Sequence, residues 1–73
     1  MEKGELLSRI TVDPAVAGGK PCIRNTRIYV ATILDGLAEG LGFDQLIDHY
    51  PQLQPDDIRA ALLYAHRLTP PAA

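Results

Sequence analysis

Four residues, Pro51-Gln52-Leu53-Gln54, separate two stretches of helical periodicity, and this short join constrains the chain more than any other feature. Upstream, Phe43, Leu46, Ile47 and Tyr50 follow the i, i+3, i+4, i+7 spacing of one helix face; downstream, Ile58, Ala61, Leu62 and Ala65 repeat it. A connection this short forces the two helices to pack at a steep angle, the spacing of a helix-turn-helix. Leu53 is apolar in mid-turn and is expected to plug the end of a shared core. Pro51 closes the upstream helix by disfavouring helical geometry in the residue before it. Pro55 at the first helical position, with Asp56 and Asp57 at the positive end of the dipole, opens the downstream one.

A third periodic segment, Val30, Ile33, Leu34, Leu37 and Ala38, precedes these and is stopped by Gly40 and Gly42. The reading is a mainly α domain, a three-helix helix-turn-helix core over residues 30–68, with a tail at 69–73. Residues 9–29 read as an irregular arm or a short two-stranded ribbon. Arg9-Ile10-Thr11-Val12 and Arg27-Ile28-Tyr29 carry strand bias, and Asp13-Pro14, Gly18-Gly19 and Pro21 break helices between them. Residues 1–8 read as an N-terminal extension.

At 73 residues the chain is one domain, and a monomer of this size is marginal without a staple. Its one cysteine forms no internal disulfide, and with two histidines it falls short of a structural zinc site. A homodimer is therefore expected. With 47% hydrophobic residues the chain is too apolar to be disordered, and no apolar run is long enough to be a signal peptide or to span a bilayer, so a cytoplasmic location without membrane contact is expected.

Charge is uneven: residues 1–30 carry five Lys/Arg against three Asp/Glu, and 31–73 carry two against six. Phosphate contacts are thus assigned to Lys20, Arg24 and Arg27 on the arm. Arg59, at the end of the last helix that a helix-turn-helix sets against base edges, is added as a candidate for reading guanine. Asp44, Asp48, Asp56 and Asp57 form a candidate acidic face for a protein partner.

Catalysis, cofactors and metals are not indicated. Gly18-Gly19-Lys20 resembles a phosphate loop only until Pro14 and Pro21 are set against the Gly and Ser/Thr that such a loop requires. A tight turn with positive φ is the better reading. Asp44, Asp48 and His49 share a wet helix face without the burial that tunes a general acid. Cys22 lies between Lys20 and Arg24 but has no base beside it, and reads as a half-buried hydrophobe. His66 reads as a last-turn residue on the helix carbonyls. Thr26 is placed to bond locally and aim Arg27, either at a phosphate or a partner, or at Asp35 or Glu39.

The run Gly18-Gly19-Lys20-Pro21-Cys22-Ile23-Arg24-Asn25-Thr26-Arg27-Ile28, after Ile10 and Asp13-Pro14, resembles the signature of a small bacterial family, the domain of unknown function numbered 433. The ending Tyr50-Pro51 through Asp57-Ile58-Arg59-Ala60-Ala61-Leu62 and Tyr64-Ala65 does too, so the resemblance covers roughly residues 9 to 66. It implies a homeodomain-like three-helix fold with a β-arm, dimerisation, and an antitoxin of a type II toxin-antitoxin pair. Such an antitoxin neutralises a PIN-like ribonuclease toxin and binds its own operator, double-stranded DNA. Asn25 stands where Gly is usual, a mild change because Asn tolerates the left-handed region. Tyr29 stands where Pro is common, which leaves the entry to the first helix looser or buries a ring there. The alternatives are a free-standing helix-turn-helix regulator and an interaction module without DNA binding.

Overall fold

A computed structural model describes residues 2–72. In chain order these are helix α1 (Lys3–Leu7), strand β1 (Ile10–Thr11), a 3-10 turn (Ala17–Gly19), strand β2 (Cys22–Ile23), and helices α2 (Val30–Ala38), α3 (Phe43–His49) and α4 (Pro55–Arg67). The fold is mainly helical with one short antiparallel sheet, in which Ile10 faces Ile23 and Thr11 faces Cys22.

The periodic residues form the core. Val30, Ile33, Leu46, Ile58 and Ala61 are buried from three different helices, joined by Ile23 and Ile28 from the arm. Leu53 fills the end of this cluster, and its N–H donates to the Tyr50 carbonyl at 2.9 Å, so the turn is both plugged and hydrogen-bonded. Gly40 stops α2 in the left-handed conformation, at φ 95°.

Gly36 sets how closely α2 and α3 approach. A Cβ there would lie 2.7 Å from Cδ2 of Leu46 and 3.4 Å from Cδ1 of Leu41. Leu46 is itself buried and has little room to yield. Gly36→Ala gains about 1 kcal/mol of helix propensity but overpacks the contact by more. The expected net loss is about 1 kcal/mol, a melting temperature lower by about 4–8 °C in a circular dichroism melt. An unchanged or raised melting temperature would contradict it.

Three sequence expectations are corrected. The first strand pairs with Cys22–Ile23 rather than with Arg27–Tyr29; Tyr29 contributes only an isolated bridge to Cys22. The reason is local: the chain folds back on itself between Ile23 and Ile28, so both segments lie side by side and the nearer one takes the ladder. Within the segment read as an N-terminal extension, residues 3–7 form α1, which packs chiefly on α4. Tyr29 neither buries its ring nor loosens the entry to α2; it is the residue before that helix and stays exposed, with Lys20 Nζ 5.6 Å from its ring centroid.

The glycine turn is as read, with Gly18 and Gly19 at φ 67° and 86°, preceded by Ala17 at 52°. Cys22 is fully buried rather than half-buried, and its thiol donates to the Lys20 carbonyl at 3.4 Å. Among the described residues no helix is long and apolar enough to cross a membrane.

Candidate nucleic-acid interface and acidic faces

The arm's candidate residues Arg24 and Arg27 sit on a loop that the backbone closes tightly. Ile23 N–H donates to the Ile28 carbonyl at 2.9 Å, and Thr26 N–H donates back to the Ile23 carbonyl at 3.1 Å. The Thr26 hydroxyl adds two bonds, donating to the Ile23 carbonyl at 2.7 Å and accepting from Ile28 N–H at 3.0 Å. Asn25 turns the chain at φ 63°, the left-handed conformation this residue type tolerates. Residues 24, 25 and 27 are left exposed at the tip, with Thr26 acting as the local clamp its chemistry predicts.

Among the described residues neither Arg24 nor Arg27 has a carboxylate within ion-pair distance. The tie from Arg27 to Asp35 or Glu39 is therefore not formed. Lys20 also lacks an acidic partner and lies over the Tyr29 ring instead. Arg24, Asn25 and Thr26 line an open hollow of about 710 Å³ together with Gln52, Gln54 and Asp57 around the start of α4 and Glu5, Ser8 and Arg9. Guanidinium groups match phosphate oxygens in pairs, and glutamine amides match adenine edges. Two carboxylates, Glu5 and Asp57, line the same hollow beside Arg9 and Arg24, and the Gln54 side-chain oxygen already accepts from Arg9.

The start of α4 has a different chemistry from the one its sequence invites. Arg9, from the residue before β1, donates to Asp57 Oδ1 at 2.9 Å and to Gln54 Oε1 at 3.2 Å. The other Asp57 oxygen accepts the Gln54 N–H at 2.8 Å, satisfying a donor at the helix start. Arg59 is bound to Asp56 at 2.9 Å and lies 5.7 Å from the Phe43 ring centroid. Asp56 is also 3.9 Å from Arg9. Arg9, Asp56, Asp57 and Arg59 thereby form a neutral cluster, with Asp57 buried within it.

The four proposed partner-binding acids accordingly differ in pairing and exposure. Asp44 and Asp48 are exposed on α3 without an ion pair among the described residues, whereas Asp56 and Asp57 hold α4 in place. Sequence reasoning missed Arg9 altogether. No local signal marks it, because its carboxylate partner lies 48 residues away. The pairing of Arg59 with Asp56 was within reach, since three residues on a helix bring opposite charges together. No group of three metal-ligating side chains converges among the described residues.

Comparison with known proteins agrees with this architecture. Residues 10–65 match DUF433, a family described as proteins of unknown function. A crystal structure of a DUF433 member protein from Anabaena variabilis superposes with a TM-score of 0.77 at 36% sequence identity, over 88% of this chain and 63% of that one. A curated relative, the uncharacterized protein y4eO of Sinorhizobium fredii, is 32% identical over 56 residues, which are 77% of this chain and 25% of that protein. The chain thus spans less than two thirds of the solved relative and about a quarter of the curated one. The arm motif, the three-helix core and the extent of the match agree: the chain belongs to the DUF433 family.

Proposed function

We propose that this chain is an antitoxin-like domain that works by binding: it neutralises a PIN-like ribonuclease toxin by direct contact and touches DNA through its arm loop. The observation that carries the reading is where charge is left unpaired. Among the described residues, the cations without acidic partners include Arg24 and Arg27 on the arm loop, and the carboxylates without basic partners include Asp44 and Asp48 on α3. Arg9, Asp56, Asp57 and Arg59 cancel one another between them. Unpaired, exposed charge is what steers a partner of opposite sign, and a cleft built to hold RNA is such a partner for Asp44 and Asp48.

Co-expression with the product of the adjacent reading frame tests the toxin contact. The neighbour alone should arrest growth, and this chain should relieve the arrest and co-purify with it. Asp44→Asn with Asp48→Asn should weaken that complex roughly tenfold or more. Absence of toxicity and of a complex would defeat the antitoxin reading and leave a free-standing regulator or an interaction module.

A salt titration of DNA binding tests the loop. Every phosphate that a cation no longer neutralises lowers the slope of log affinity against log salt by about 0.9. Arg24→Ala with Arg27→Ala should therefore flatten it by about two per chain. Arg59→Ala should leave it nearly unchanged, because that guanidinium is already engaged by Asp56. A larger effect from Arg59 than from the loop would place the contact on α4 instead, and no salt-dependent binding at all would leave an interaction module.

A further inference from the structure

Strand β1 has one edge in use and one free. Arg24 N–H donates to the Arg9 carbonyl at 2.7 Å, and Thr11 pairs with Cys22, so residues 9 and 11 spend their backbone groups on β2. By the alternation of an antiparallel ladder, the N–H and C=O groups of Ile10 and Val12 point to the opposite edge. Among the described residues they have no hydrogen-bond partner.

Beside this edge lies an apolar hollow of about 250 Å³, lined by Leu7, Ile10, Val12, Tyr64, Arg67 and Leu68. Val12 is 55% and Leu68 72% exposed, both at the rim of this hollow. The accessible surface of the chain is 4938 Å². A folded monomer of its mass normally presents about 4400 Å². The surplus is of the order of the area each partner covers in a small protein interface.

We infer that the free edge of β1 is a docking surface for a second copy of this chain, the two β1 strands pairing antiparallel about a two-fold axis at Thr11. A second copy fits because the edge is self-complementary. Ile10 of one chain faces Val12 of the other, and each of these two equivalent pairs exchanges two backbone bonds, so four unused donors and four unused acceptors are satisfied at once. The register sets the partner's Val12 beside Ile10, at the mouth of the apolar hollow. It also turns a two-stranded ribbon, marginal by itself, into a four-stranded sheet.

Two variants and one cross-link test the inference on the full chain. The wild type should have twice the 7.9 kDa chain mass by light scattering at about 100 μM. Val12→Pro removes only an N–H on the free edge, so it should be monomeric with the helical circular dichroism of the wild type. Leu68→Glu, at an exposed position, should weaken dimerisation at least tenfold while keeping that spectrum.

In the proposed register the two Thr11 residues form a non-hydrogen-bonded pair with Cα atoms about 4.5 Å apart, within disulfide reach. Thr11→Cys should therefore form an interchain disulfide on oxidation. It is made in a Cys22→Ala background, because Cys22 is the cross-strand neighbour of Thr11 within the chain. A monomeric wild type overturns the inference, as does a folded Val12→Pro that stays dimeric. Failure of a folded Thr11→Cys chain to cross-link while the wild type is dimeric places the interface elsewhere and also overturns it.

Discussion

Arg9→Met is expected to destabilise the domain by about 2–3 kcal/mol, lowering its melting temperature by about 10–20 °C. Methionine keeps much of the arginine's apolar stem and so isolates the loss of charge. What remains is Asp57, 8% exposed at its side chain and deprived of its 2.9 Å guanidinium. A buried carboxylate without its cation is more costly than the pair is valuable, because desolvation is still paid while the attraction is gone. The value lies below the roughly 3–5 kcal/mol of a fully buried pair because the Asp57 cap on Gln54 N–H survives and Arg9 is itself partly wetted. The companion Arg9→Met/Asp57→Asn should recover part of the loss, since asparagine keeps an oxygen for the cap and carries no charge to strand. Urea unfolding of the two variants measures both. A single variant within 0.5 kcal/mol of the wild type would show that solvent already screens the pair.

Leu53→Ala should be as damaging or more so, by about 3 kcal/mol. Leu53 is 3% exposed and packs into the cluster formed by Ile33, Leu46 and Ile58, so truncation empties space between helices that are fixed at both sides. A domain of this size has only about 4–10 kcal/mol in total. The variant should therefore show a broadened thermal transition, with part of the population unfolded near 37 °C. Exposed Gln52→Ala, one residue away in the same turn, is the contrast and should change stability by less than about 0.5 kcal/mol. Equal losses at both positions would mean that the turn's backbone, rather than the plug, governs the join.

The helix-turn-helix was legible in the sequence because its signals are local. Periodic apolar residues, Pro51 and Pro55, Gly40, and an apolar residue in an otherwise polar turn each act within a few positions of one another. The arm was legible only in part. Thr26 and Asn25 have chemistry that points to a closed loop, and that loop forms. Two-residue strands have no period to read, so the choice between Cys22–Ile23 and Arg27–Tyr29 was open to error. α1 was illegible for a related reason. Five residues containing a glycine do not sustain a helix alone, and this one exists by lying on α4. The same limit applied to the site: Arg24 and Arg27 could be picked out by charge, but the neutralisation of Asp57 by Arg9 is a tertiary event.

That clasp also bears on the order in which the molecule assembles. The contacts joining α2, α3 and α4 span short loops, whereas Arg9 meets Asp57 only after a 48-residue segment has closed on itself. Closure entropy makes such a contact late on the folding route, so the strap formed by α1 and β1 latches onto a helical body already formed. An interaction absent from the transition state acts on the escape rate alone. Loss of Arg9 should accordingly steepen nothing on the refolding limb and raise the whole unfolding limb. The clasp is then the latch that sets the lifetime of the native state, and so how long the arm loop stays folded for any partner.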